Sequence, residues 1–156
     1  MPGLNYDHVF VTDELGRTTL FHTDNLGLGV DARPDIVNST VTGKVGRSGG
    51  PGYDGGHLDG SQFGGGSEFV NLTPQAAKGV NRAGGDFYTI ETKWRTALDH
   101  NGTVTDVDIQ VTYADHAPMT PTRFKGQDYE INPKPEGYDV TSTINGTPKN
   151  VPIKNK

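Results

Sequence analysis

Residues 52–66 read GYDGGHLDGSQFGGG, and one histidine, His57, stands among seven glycines. A neutral imidazole takes and releases protons near pH 7, so a histidine held at a reacting group can act as a general base. A linker would be a monotonous run of glycine and serine. Here Tyr53, Leu58 and Phe63 interrupt the run with groups able to anchor it. Glycines beside a reactive residue permit unusual backbone angles and close ligand approach, and loops on a scaffold often carry function. Taken alone, the stretch reads equally as a linker or as a rigid loop built around His57. Asp54 lies three residues before the histidine and Asp59 two after it, the latter expected as a solvated loop carboxylate.

The remaining histidines offer less. His8 and His22 fall in expected strands as half-buried or solvated residues, His100 ends a helix where a cation suits the dipole, and His116 lies in a turn. No pair has the HxxxH spacing of a zinc site. With no cysteine in the chain, disulfides and thiolate sites are excluded. A metal would have to use His, Asp, Glu, Asn or water, which favours hard ions such as Mg²⁺, Ca²⁺ or Mn²⁺. Downstream of His57 the polar residues Asn71, Gln75, Asn81 and Arg82 are followed by Glu91 and Arg95.

These groups need elements to hold them. DHVFVT (7–12), the turn DELG and RTTLFHT read as a β-hairpin. The β-branched IVNSTVTGKVG (36–46) reads as a strand. EFVNL (68–72) reads as a short strand, and TPQAAKGVN (73–81) as a capped helical turn with Pro74 at its first position. Residues 86–100 form the clearest helix: Phe87, Ile90, Trp94, Ala97 and Leu98 recur on one face. Glu91 falls at the edge of that apolar arc, with Arg95 one turn on as an i,i+4 partner. Residues 103–113 alternate as a strand with a slip near Asp106. PTRFKGQDYEI (121–131) reads as its antiparallel partner. Asn145-Gly146 marks a hairpin within 138–153, and residues 146–156 are expected to fray. The order gives an α+β domain built on an antiparallel sheet, spanning residues 1–156 as one unit.

The combination D-G-G-H, F-G-G, N-L-x-P-Q, a further asparagine, and then a helix bearing Trp and Glu resembles the DNA/RNA non-specific endonucleases of the ββα-metal superfamily. It is most similar to the D-G-G-H type found as C-terminal toxin domains of bacterial polymorphic toxins, over most of residues 5–132. The resemblance implies a ββα-metal finger of glycine-rich loop, short strand and helix. It implies His57 as general base, Asn81 as the protein ligand of Mg²⁺ (or Mn²⁺ or Ca²⁺), and Glu91 as the acid that holds a water of the ion. Arg95 would stand near the scissile phosphate, Asn71 would support the site by hydrogen bonds, and Asp54, Gln75 and Arg82 would flank substrate. It further implies DNA or RNA as substrate, an immunity protein as partner, and secretion or contact delivery into the cytoplasm of a target cell. Gly55 departs from the superfamily's D-R-G-H, removing one phosphate-binding cation, for which Arg82 is a candidate substitute.

The bulk composition sets a competing reading. The net charge is −5, and all of it lies early: residues 1–69 hold 4 basic and 9 acidic side chains, residues 70–156 hold 10 of each. An acidic domain is a poor electrostatic match for nucleic acid unless a cation intervenes. The alternative is a catalytically degenerate ββα domain that binds a protein or a surface. No secretory leader and no membrane-spanning apolar run are visible. The Asn-x-Thr triplets at Asn38, Asn101 and Asn145 read as turns rather than glycosylation sites.

Overall fold

A computed structural model gives the fold of residues 7–29 and 39–156. In chain order the elements are β1 (Val9–Thr12), β2 (Thr18–Leu26), α1 (Ser39–Ser48), β3 (Tyr53–His57), β4 (Leu72–Ala76), α2 (Asp86–Asp99), β5 (Val104–Thr112), β6 (Thr120–Phe124), β7 (Gln127–Ile131), β8 (Gly137–Ile144) and β9 (Thr147–Lys154). An antiparallel sheet of order β1-β2-β5-β8-β9 is the scaffold. β3 and β4 form a separate two-stranded ribbon, and α2 follows it, giving the expected ββα unit.

α2 sits where its periodicity puts it. Phe87, Ile90, Trp94 and Ala97 are buried, packed with Phe21, Val107, Ile109 and Val140 of the scaffold and with Leu58 and Phe63 of the glycine-rich stretch. Trp94 Nε1–H donates to Ser142 Oγ at 3.0 Å, satisfying its one polar atom. The slip in β5 is a bulge: Asp106 has φ 51°, and the register against β8 shifts between Thr105 and Asp108. Asn145 and Gly146, with φ of 50° and 80°, make the tight loop joining β8 to β9.

Five expectations are corrected. Residues 39–46 are helical, not a strand, while 36–38 lie outside the described residues. Valine and threonine disfavour helix only weakly, and burial of Val41 and Val45 against Leu72 and Ile131 decides the matter. Residues 69–71 form a 3-10 turn and 72–76 the strand, so the strand expected at 68–72 begins only at Leu72 and the helical turn only at Ala77. β6 and β7 pair with each other, because Lys125 and Gly126, at φ 49° and 78°, turn the chain back at once; β5 instead lies between β2 and β8. Finally, residues 147–154 do not fray but are paired along their length with β8. The next residue is fixed too: the Asn155 amide accepts from Ala76 N–H and donates to the Pro74 and Pro135 carbonyls, fastening the ribbon to the scaffold.

α1 lies against the other side of the ribbon so closely that only glycine fits between. A Cβ at Gly55 would stand 2.1 Å from the Thr42 carbonyl oxygen, and one at Gly46 would stand 2.9 Å from Gly55 N. The arginine of D-R-G-H has no room here. Gly55→Ala is expected to lower stability by about 2–3 kcal/mol through overpacking. A urea melt checks this, and a wild-type midpoint would show that α1 yields.

Candidate active site

The ribbon puts its residues in register as Asp54↔Gln75, Gly55↔Pro74, Gly56↔Thr73 and His57↔Leu72. A pocket of about 140 Å³ opens at its end, lined by His57, Gly60, Ser61, Gln62, Gln75, Asn81, Phe87 and Glu91. The fold thus brings together His57, Gln75, Asn81 and Glu91, which come from β3, β4, the turn after β4, and α2. The glycine-rich stretch is no linker: its histidine ends a paired strand.

His57 Nε2 is buried and has no hydrogen-bond partner. Burial holds the imidazole below its ordinary pKa, and the charge of Glu68 opposes this only in part. A neutral ring with an unpartnered nitrogen, on a residue that lines a pocket, is the state a general base requires.

Asn81 closes a wide helical turn, Ala77–Asn81, sealed by the Arg82 N–H donating to the Ala77 carbonyl at 2.9 Å. Such i→i+5 turns aim side chains that a regular helix would not. Its Nδ2–H donates to Asp54 Oδ2 at 3.1 Å, which leaves Oδ1 for the pocket it lines. Asp54 also receives a forked pair of bonds from Arg82, at 2.8 and 2.9 Å. Arg82, then Asn81, hold the Asp54 carboxyl below the usual carboxylate range, against its partial burial. Asp54 thus ties the amide of Asn81 to the guanidinium of Arg82.

Glu91 reaches the pocket from α2. The residue is only part-buried, but packing around its carboxyl is dense, and burial raises its pKa to about 7. A hydrogen bond from Gln62 pulls down and the charge of Asp59 pushes up. Gly60 faces it so tightly that a Cβ there would lie 2.8 Å from Glu91 Oε1. The fold therefore favours the protonated acid. Between pH 4.5 and about 7 the unfolded chain has released this proton while the folded chain keeps it, so stability falls as pH rises through that window. In metal-free buffer, Glu91→Gln is expected to gain on the wild type by on the order of 3 kcal/mol from pH 4.5 to 7.5. Parallel melting curves across this range would refute it.

Asn71 is fully buried and works through its amide. Its Oδ1 accepts from Asp59 N–H at 2.7 Å, and its Nδ2 donates to the carbonyls of Asp59 and Gly66, at 3.0 and 2.7 Å. One side chain thus holds both ends of the loop after His57. Gln75 Nε2–H donates to the His57 carbonyl at 3.3 Å, and its Oε1 is buried without a partner. Arg95 stands apart from the lining: it pairs with Asp99, not Glu91, on the exposed side of α2. Asp59 is not the solvated carboxylate expected but 3% exposed, bonded to His8. Gln62 and Phe87 were not picked out as site residues. Phe87 belongs to the apolar face, and nothing in the sequence distinguishes Gln62 from an ordinary loop amide.

Residues 4–131 match the family described as DNA/RNA non-specific endonuclease. The type VII secretion system protein EssD of Staphylococcus aureus is 34% identical over 128 residues, in strains USA300 and Newman alike. That alignment takes in 80% of this chain but 20% of EssD, so the chain spans about a fifth of its relative's length. Among solved structures, NucA from Streptococcus agalactiae with a magnesium ion bound superposes with a TM-score of 0.68 at 17% identity, covering 98% of this chain and 76% of NucA. Its metal-free form gives 0.63 at 16%, covering 99% and 73%. At such identities the likeness establishes the fold, and the shared fold contains the ribbon and helix that carry the pocket.

Proposed function

Because the chain belongs to the DNA/RNA non-specific endonuclease family, we propose that it hydrolyses phosphodiester bonds of DNA, with RNA as the other substrate, using a divalent ion and His57 as general base. The observation that carries this reading is the free, buried Nε2 of His57 in a pocket shared with Asn81 and Glu91.

The donor set suits a hard ion. Asn81 turns an amide oxygen to the pocket, Glu91 supplies a carboxyl, and Gln75 Oε1 lies buried without a partner. Among the described residues no three His, Cys, Asp or Glu cluster as a complete cage. Mg²⁺ keeps most of its waters and needs few protein oxygens, so Asn81 would hold it directly and Glu91 through water; Mn²⁺ and Ca²⁺ share this preference for oxygen. When bound, the ion supplies positive charge beside the phosphate, easing the approach of an oxygen nucleophile and stabilising the leaving oxygen.

The chain's own groups do the rest. His57 Nε2 accepts a proton from water as the water oxygen bonds to phosphorus and the P–O bond to the leaving oxygen breaks. The Gln75 bond to the His57 carbonyl and the Asn71 bonds to the following loop keep Nε2 in place. Asp54 orients Asn81 and presents Arg82 at the ribbon's edge, where it can offer the cation that position 55 lacks. The Arg95–Asp99 pair is exposed and worth little, so a phosphate can draw Arg95 away from Asp99.

Likeness to a type VII secretion system protein supports a secreted toxin domain, delivered into the cytoplasm of another cell and neutralised in the producer by an immunity protein. No described helix is long and apolar enough to cross a membrane.

The test is supercoiled plasmid with purified protein, Mg²⁺ and EDTA in separate arms. Nicking in Mg²⁺ that EDTA abolishes is the expected result. No cleavage of DNA or RNA at micromolar protein would overturn the reading in favour of a degenerate binding module, which the net charge of −5 and the absent arginine would then explain.

A further inference from the structure

Asp59 has no part in the chemistry above, yet its carboxylate is 3% exposed, two residues after the base. Its Oδ2 accepts a hydrogen bond from His8 Nδ1–H, 51 positions away in sequence. Its Oδ1 and His8 Nε2 are both buried without partners. The His8 ring stands edge-on to Phe21 of β2, centroids 5.5 Å apart, so it is lodged on the scaffold sheet. The Asp59 main chain is gripped as well, by the Asn71 amide on both sides. The returning glycines fold directly over it: a Cβ at Gly65 would meet the Asp59 carbonyl oxygen at 1.8 Å. The next residue, Gly60, lines the pocket against Glu91.

A largely buried polar pair is a poor source of stability, because desolvation offsets its attraction and apolar residues often serve as well. Here the backbone of Asp59 is already satisfied by Asn71, so local hydrogen bonding does not call for the carboxylate. What the side chain adds is a polar tie, beside the apolar packing of Leu58 and Phe63, between the residue that precedes β1 on the scaffold and the loop that connects His57 to Gly60. We propose that His8 and Asp59 form a buried latch that makes both of them positioning residues, holding the loop after His57 so that the base and Glu91 keep their spacing. Neither His8 nor Asp59 lines the pocket, which that loop reaches through Gly60, so the latch acts on turnover rather than by touching substrate. Its kinetic half rests on the nuclease reading, and its loop-ordering half does not.

Four variants separate these outcomes: His8→Ala, His8→Asn, Asp59→Ala and the double alanine. Plasmid kinetics in Mg²⁺ are paired with amide hydrogen exchange. His8→Ala is expected to lower kcat by about 10- to 100-fold with KM within about twofold, the range seen when a supporting partner is lost. Exchange at Leu58, Asp59 and Gly65 should rise while β5 and β8 stay protected. His8→Asn, which keeps an N–H donor, should recover most of both losses. The double variant should be no worse than Asp59→Ala alone. Unchanged kcat and exchange in His8→Ala would overturn the latch. So would a loss of protection spread evenly through β5 and β8 that His8→Asn does not reverse. If the wild type cleaves nothing while the loop still loosens and asparagine still restores it, the latch stands and the nuclease reading falls.

Discussion

Replacing His57 by alanine is expected to leave a folded protein that no longer nicks DNA. Loss of a general base lowers rates by about 10²- to 10⁴-fold. The fold should survive, because Nε2 has no partner to strand when the ring is removed, and the strand pairing of His57 with Leu72 runs through the backbone. Wild-type plasmid nicking in Mg²⁺, from a variant whose melting curve matches the parent, would remove His57 from the chemistry. The wild type also carries a pH signature. Burial holds the imidazole below its usual pKa, so the ring stays neutral, and able to accept a proton, to below pH 6.5. Loss of activity on acidification through protonation of this base should therefore fall on the acid side of 6.5.

Asn81→Ala should have the next largest effect, about 100-fold or more on activity, with a Mg²⁺ dependence displaced to higher concentration. The side chain offers one oxygen to the pocket because its nitrogen is engaged by Asp54. Alanine removes that oxygen and leaves Asp54 still paired with Arg82, so the ribbon's edge is not left with a stranded charge. A Mg²⁺ titration superimposable on the wild type's would rule out the ligand role. Asp54→Ala should follow Asn81→Ala in the same direction but less severely, since it frees the amide to rotate without deleting it.

How much of this was legible in the sequence varied with how local the cause was. α2 was readable end to end because its apolar positions repeat at helical spacing, and its one irregular member, Glu91, marked the pocket. The β5 bulge showed as a break in alternation at Asp106, and Asn145-Gly146 announced its own turn. α1 was not readable: its valines, threonines and glycines carry no helical preference, and the helix exists because Val41 and Val45 find Leu72 and Ile131. The β6–β7 pairing was missed because strand partners are chosen by turn geometry, and Lys125-Gly126 is a weaker signal than an Asn-Gly pair. Among the residues that line the pocket, His57 was legible from its glycine-rich surroundings, Glu91 from its place at the edge of an apolar face, and Asn81 through the resemblance alone. Asp59 did not, since a carboxylate in a glycine-rich stretch looks solvated until a histidine from 51 residues away covers it.

The contact between α1 and the ribbon bears on how this chain can change over time. Position 55 cannot accept an arginine in one step, since even a methyl group there would run into the Thr42 carbonyl. Nor can α1 shift on its own, because Gly46 and Gly49 are seated against Tyr53 and Pro74. A side chain at 55 therefore requires α1 to give way, and a lineage that gains one first bears the cost of that overpacking. Added positive charge in this background is therefore accommodated at the open edge of the ribbon, beside Arg82, before it is accommodated at position 55.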